Sequence, residues 1–525
     1  MLNDPEAARQ LDAAKRAYAG GDRPGAALLA RQVLLRAPGE ATALQILGVI
    51  ALDADDFAGA RRHLEASNAV RPNAATFNMI GVAAGRLGDA EAARAAFMRA
   101  GELGLIDGWR NLAVIEKGEA QIAAYRRALA LAPNDVASHA GLARALEARH
   151  EIAGAKEHAI AALRGDKANV TARLALARVL MREKDFVGAE TAVTPVLEAP
   201  RAAPDQRVQA LGLIGDARDR REDARGAFQA FTAANQLSLQ VHGALLDATE
   251  RLYHPESVRR MAERVARLDV SGWPRAEGRA PAFLIGFPRS GTTLLDQILS
   301  SHTGIVCLEE SEHFSDALNE VIAEPARALE MVSLSAAELA QVRESYWRRI
   351  KAPDGAIVVD KYPLNIVVLP LIKRVFPDAQ IIFALRDPRD VVLSCYQQRF
   401  AINVGMAQFL ELGRAGAYYD QVMSLFELCR ERLALDLHQV RYEDVVSDLE
   451  SAARALCAFL GVPFEPGMLN YRETALSREI STPSARQVIE PLYNRSIGRW
   501  RRYEQDLKPV LPALTAWAER YGYAS

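Results

Sequence analysis

Apolar positions in the first half of the chain recur with the spacing of amphipathic helices; in the second half they gather into short β-rich runs. To about residue 245 the sequence is rich in Ala, Leu, Arg and Glu, and the helical pattern itself repeats. Pro38 and Pro72, 34 residues apart, each follow an apolar helix (RQVLLRAP, RHLEASNAVRP); Pro133 follows RRALALAP, and Lys167 holds that slot 34 residues later. In each unit a pair such as Leu47-Gly48, Ile80-Gly81, Leu142-Ala143 or Ile214-Gly215 marks the first helix. A turn with Gly or Asp follows (DADDFAGA, RLGDAEAA, ARHEIAGA, EKDFVGAE, RREDARGA), then a second helix. About six such units fit, one of them irregular around 101–120. Small residues let paired helices approach closely, and stacked units bury faces that one unit cannot bury alone. A nonrepeating helical bundle is the competing reading.

The period breaks over 241–279, which holds one more helix (PESVRRMAERVARLDV) and then SGWPRAEGRAP, with the Gly and Pro of a linker. From Pro281 onward, AFLIGF, AIVVD, QIIFALR and HQVRYE alternate with helical stretches. Such alternation predicts a parallel sheet flanked by helices, with ligands bound beyond the carboxyl ends of the strands. The expected organisation is an all-α repeat solenoid over 1–245, a helical linker over 246–280 and an α/β domain over 281–525. A chain of 525 residues calls for more than one core.

A net charge of −2 provides no basic field for nucleic acid. The four cysteines, Cys307, Cys395, Cys429 and Cys457, form no CxxC pair, which suits a reducing compartment. The start MLNDPEAARQLDAAKRAYAG lacks a basic segment followed by an apolar one, and no apolar run approaches the roughly 20 residues of a membrane span. The expectation is a soluble, cytoplasmic protein with no membrane span.

Candidate chemistry begins in AFLIGFPRSGTTLLDQIL. Gly286-Phe287-Pro288-Arg289-Ser290-Gly291 matches the GxxxxG of a triphosphate-binding loop, but Thr292 and Thr293 follow where Lys should stand. Backbone amides and a helix N-terminus still suit an anion, and Arg289 supplies positive charge from within the loop. That combination fits a smaller anionic group, such as the sulfate of an adenosine phosphosulfate. A plain strand–helix turn is the alternative for the loop alone. Further on, IIFALRDPRDVVLSCYQQ puts Arg386 at a strand end and Ser394 about two helix turns later, a pair able to fix a second phosphate. Here the alternative is that Arg386-Asp387 and Arg389-Asp390 are surface ion pairs.

Together these segments resemble the PAPS-dependent sulfotransferases, and the 34-residue period resembles tetratricopeptide repeats. PAPS is 3′-phosphoadenosine 5′-phosphosulfate, and PAP is the product it leaves. FPRSGTTLL is similar to that family's 5′-phosphosulfate loop and RDPRDVVLS to its 3′-phosphate segment. The resemblance implies donor contacts from Pro288, Arg289, Ser290, Gly291, Thr292, Thr293, Arg386 and Ser394, and a P-loop-like sulfotransferase fold over 281–521. Within the family, three segments resemble those of the tyrosylprotein sulfotransferases. HTGIVCLEESEHF matches the stretch with their catalytic glutamate at Glu310, DKYPLN the one with their catalytic lysine at Lys361, and VRYEDV an adenine-side tyrosine at Tyr442. SARQVIEPLYNRSIGRWRRY resembles their cofactor-covering segment, with Ser484 and Arg499 in the matching slots; Gly498-x-Trp500 is similar to the GxW of cytosolic sulfotransferases. Two departures stand out. The family's arginine four residues after the 3′-phosphate serine is Gln398 here, so either Arg399 substitutes or one charge contact is lost. The stretch Ser311-Glu312-His313-Phe314-Ser315 also lacks the arginines that read acidic peptides.

Sulfuryl transfer, like phosphoryl transfer, asks for positioning, a base for the acceptor proton and stabilisation of charge on the leaving oxygen. Glu310 is the candidate base, with neighbours Glu309 and Glu312; a solvated acidic helix start is the other reading of this cluster. Lys361 is the candidate donor to the bridging oxygen, against a surface lysine before a turn. Arg289 and Ser484 complete the candidate catalytic set. His302 and His313 remain minor base candidates, because cytosolic sulfotransferases use a histidine; no metal is called for. The leading function is transfer from PAPS to a hydroxyl on a protein or peptide recruited by the repeats. A carbohydrate or small alcohol is the alternative acceptor. A P-loop kinase or NTPase is disfavoured by Thr292 and by the lack of a strand-end magnesium ligand. A catalytically inactive repeat scaffold would not require Arg289, Glu310, Lys361, Arg386 and Ser394 together.

Overall fold

A computed structural model describes residues 4–270, 273, 279–310, 312–322, 334–477 and 496–524. The chain divides into two compact units, Met1–Ala202 and Ala203–Ser525.

The first unit is a run of helical hairpins: α1 (Pro5–Ala19) with α2 (Arg23–Arg36), α3 (Ala41–Asp53) with α4 (Phe57–Val70), and α5 (Ala74–Arg86) with α6 (Ala90–Glu102). It continues with α7 (Ile106–Ile115) and α8 (Gly118–Leu131), α9 (Val136–Ala148) and α10 (Ile152–Gly165), then α11 (Val170–Arg182) and α12 (Phe186–Val193). The Asp of the repeated turn starts the second helix. Asp22, Asp56, Asp89 and Asp185 each accept a hydrogen bond from the backbone N–H three residues on, satisfying an otherwise orphaned donor. Glycine on the first helix permits close crossing: a Cβ at Gly48 would lie 2.5 Å from Leu64, and one at Gly81 2.5 Å from Phe97. The irregular unit has a first helix of only 10 residues, α7.

The second unit opens with another hairpin, α13 (Pro204–Arg220) and α14 (Ala224–His242), followed by α15 (Pro255–Ala266). The hairpin that the period assigns to the repeats therefore lies in one compact unit with the sheet, and Ala227 and Phe231 of α14 join its core. The sheet has five parallel strands: β1 (Ala282–Gly286), β2 (Ile305–Leu308), β3 (Ile357–Lys361), β4 (Gln380–Leu385) and β5 (Asp436–Arg441). Their order is β2-β3-β1-β4-β5. Alternate residues of the continuous apolar runs serve opposite faces. Phe283, Ile285, Phe383 and Leu385 pack on one side with α21 (Leu412–Arg432), which brings Val422 and Phe426. Leu284, Ile382 and Ala384 pack on the other with α16 (Thr292–Ser300) and α23 (Leu449–Leu460).

Between these elements run α17 (His313–Val321), α18 (Ala336–Arg349), α19 (Leu369–Val375), α20 (Pro388–Gln397) and α22 (Tyr442–Ser447). From β1 the chain leads toward the β2 edge, and from β4 toward the β5 edge; β1 and β4 are neighbours, with Gly286 opposite Ala384. That is the switch point at which such sheets open a crevice beyond their carboxyl ends. All four cysteines are buried and none is in a disulfide. Among the described residues no helix is long and apolar enough to cross a membrane.

Candidate active site

β1 ends at Gly286, and the loop that follows turns through two left-handed residues, Arg289 (φ 73°) and Gly291 (φ 99°), before Thr292 opens α16. Gly291 stands at the N-cap of α16, where no side-chain capping hydrogen bond is seen among the described residues. Ser290, Thr292 and Thr293 are buried around it. Glycine at 291 also admits an aromatic ring, since a Cβ there would lie 2.8 Å from Cδ2 of Tyr442.

β4, next to β1, delivers the second segment. Arg386, immediately after β4, donates from Nη1 to the backbone carbonyl of Arg289 (3.2 Å) and from Nη2 to that of Ser496 (2.6 Å). Its guanidinium lies 4.8 Å from the centre of the Tyr442 ring. Its Nε is buried and has no hydrogen-bond partner among the described residues. On α20, Ser394 accepts from Nε of Arg289 at 3.0 Å. The two segments expected to hold the 5′ and 3′ ends of a nucleotide thus meet side by side.

The charges of RDPRD are not surface pairs. Arg389, 1% exposed, donates to both carboxylate oxygens of Asp387 (3.0 and 2.8 Å) and lies 4.2 Å from the Trp500 ring centre. Asp390 accepts the backbone N–H groups of Gly498 (2.7 Å) and Trp500 (2.8 Å). Burial raises its carboxyl above the usual range, against the pull of Arg386 and those amides. Of this run, Arg386 is bonded to the loop after β1.

β2 and β3 are paired in register, Leu308 opposite Asp360, so Glu310 just past β2 comes to the end of β3. There Nζ of Lys361 donates to Oε1 of Glu310 at 3.0 Å. Lys361 is fully buried and Glu310 is 27% exposed. A buried ammonium needs such a partner, so this is no surface lysine. Glu312 instead accepts from Oη of Tyr362 at 3.0 Å, and Ser315 is bonded to Tyr253.

Other candidates sit elsewhere. His302 is tied to backbone at both ring nitrogens, to the Pro463 carbonyl (2.8 Å) and the Gly304 N–H (2.9 Å), which makes it structural. His313 starts α17, and burial lowers its pKa. Arg399 is bonded to Asp216 at 2.6 Å, and Gln398 to the Arg399 carbonyl, so Arg399 does not join Arg386 and Ser394. Arg499 pairs with Asp219 at 2.9 Å. Ser484 and Ser311 lie outside the described residues. Sequence reasoning missed Asp390 and Asp219. Asp390 had a faint signal, an acid in the first turn of a helix, whereas Asp219 is an ordinary helical residue whose partners are about 280 positions away.

The loop, the Glu310–Lys361 pair and the Arg386–Ser394 segment all fall within residues 281–466, the stretch that matches the model described as "Sulfotransferase family". Residues 281–466 of the second unit are thus similar to that family. An uncharacterised protein of Aquifex aeolicus is 28% identical over 341 residues, 61% of this chain and 43% of that protein. Protein-tyrosine sulfotransferase 1 of Danio rerio is 23% identical over 256 residues, 46% of this chain and 71% of its own. The chain thus spans less than half the length of the first of these relatives. A solved structure, the sulfotransferase domain of the Synechococcus PCC 7002 olefin synthase, is 21% identical with a TM-score of 0.33, covering 47% of this chain and 98% of that one. Within the matched stretch, β1, β3 and β4 each end at a residue group expected to contact the donor or the transferred group.

Proposed function

We propose that this chain transfers a sulfuryl group from PAPS to an acceptor hydroxyl. The observation that carries the reading is the Lys361–Glu310 pair at the strand ends, in one sheet with an anion loop whose lysine slot holds threonine. The residues fit a donor with separate 5′ and 3′ groups. Arg289 and the first-turn amides of α16 suit the phosphosulfate, Arg386 and Ser394 suit the 3′-phosphate, and the Tyr442 ring beside Gly291 suits the adenine side. The buried, unpartnered Nε of Arg386 is a donor that calls for such an acceptor.

During transfer the sulfur–oxygen bond to the 5′-phosphate breaks as one to the acceptor oxygen forms. Glu310 receives the acceptor's proton, and Lys361 donates to the phosphate oxygen as it gains charge. Arg289 holds the sulfonate during the exchange. Ser484 and Arg499 complete the donor site in this reading. For the acceptor, the named tyrosine sulfotransferase relative and the helical repeats support a protein or peptide hydroxyl. No acidic flanking sequence is called for, because 311–315 holds no arginine and Glu312 is bonded to Tyr362. Four buried cysteines outside any disulfide suit a cytoplasmic location.

Isothermal titration should show binding of PAP; tighter binding of ATP–Mg would overturn the donor assignment. Glu310→Ala and Lys361→Ala should each lower transfer of labelled sulfate at least about a hundredfold. Unchanged transfer in both variants would sink the roles assigned to them.

A further inference from the structure

The last helical hairpin does more than continue the repeats. Near the end of α13 the buried carboxylate of Asp219 meets three groups of one segment: it forms an ion pair with Nη2 of Arg499 (2.9 Å) and accepts hydrogen bonds from Nη2 of Arg502 (2.8 Å) and Oη of Tyr503 (2.5 Å). Its backbone carbonyl takes Nη1 of Arg502 as well, at 3.3 Å. The same segment is pinned by residues of the donor region, Arg386 on the Ser496 carbonyl and Asp390 on the amides of Gly498 and Trp500.

The hairpin also grips the far end of α20, the helix that carries Ser394. Nδ2 of Asn235 donates to the Tyr396 carbonyl (2.8 Å), Oη of Tyr396 donates to Thr232 (2.9 Å), and Phe228 stacks on the Tyr396 ring. One helix pair therefore braces two elements that the sulfotransferase reading assigns to the donor.

We propose that Asp219 is a positioning residue for the donor, acting through Arg499. Holding one guanidinium nitrogen on a buried carboxylate fixes a side chain with several rotors, and the entropy of ordering it is spent before the donor arrives. It leaves Nε of Arg499, buried and without a hydrogen-bond partner among the described residues, as the free donor atom. The proposal rests on the PAPS reading, and the two fail differently: if the unaltered protein does not bind PAP, that reading falls.

The test is calorimetric titration of PAP into the full chain and its variants. Asp219→Asn, folded by circular dichroism, should bind roughly tenfold more weakly, the loss expected for one charge-assisted contact. In an Arg499→Gln background the same change should cause no further loss, because Asp219 acts through Arg499. PAP affinity within twofold of the unaltered protein, or equal losses in both backgrounds, would overturn the proposal. If Asp219→Asn does not fold, Asp219→Glu carries the test. It keeps the charge but shifts the guanidinium by a methylene, and should weaken PAP measurably; unaltered affinity would again overturn the proposal.

Discussion

On β3 two adjacent charged residues, Asp360 and Lys361, point to opposite faces of the sheet. Lys361 is neutralised by Glu310, whereas Asp360, also buried, receives a hydrogen bond from Oη of Tyr346 at 3.0 Å. Burial outweighs that bond and pushes the Asp360 carboxyl up to about 7. A raised carboxyl binds its proton more tightly in the folded chain than in the unfolded one. Stability from this group is therefore full below about pH 4 and falls as pH rises toward 7, by on the order of a few kcal/mol. Asp360→Asn should flatten that slope and stabilise the protein at pH 8, read from urea unfolding at pH 5 and pH 8. An unchanged slope would contradict the assignment. At this scale residue types were legible in the sequence, but partners were not. Glu310 and Lys361 stand 51 positions apart, and only the β2–β3 register joins them. The pairing of Arg389 with Asp387 rather than Asp390 likewise depends on where Trp500 and Gly498 arrive.

The repeat turns show a second rule at the level of elements. One residue before the Asp that caps the second helix of a repeat the backbone is left-handed: Gly21 and Gly88 in two units, but Asp55, Lys184 and Glu222 in others. Side chains there bear a cost of roughly 1 kcal/mol or more that glycine avoids, offset in part by the freer unfolded chain. Lys184→Gly together with Glu222→Gly should raise stability by about 1 kcal/mol, seen as a higher urea midpoint at an unchanged slope; a lower midpoint would refute it. The repeat period and the strand runs AFLIGF and QIIFALR were readable because both reflect local spacing of apolar residues. The strand order was not readable from spacing. β1 lies between β3 and β4, both far along the chain, and only packing selects them.

For the molecule as a whole, the sequence period places α13 and α14 with the repeats, while their contacts place them in the unit of the sheet. A hairpin can obey a repeat's local rules and still serve another core, and the Asp219 contacts that decide this join residues 283 and 284 positions apart. The central place of β1 also has a consequence during synthesis. Each repeat hairpin closes on its immediate neighbour in sequence, so the first unit can form as it leaves the ribosome. β1 emerges long before Ile357–Lys361 and Gln380–Leu385, the only strands that flank it. Nascent chains arrested near residue 340, where Ala282–Gly286 has left the ribosome but Ile357–Lys361 is not yet made, should show protease-resistant repeats and a cleavable Ala282–Gly286, with protection of that strand appearing only once β4 is out; early protection would argue otherwise. Until then a wholly apolar strand waits with both edges open, and this interval is the protein's greatest exposure to aggregation.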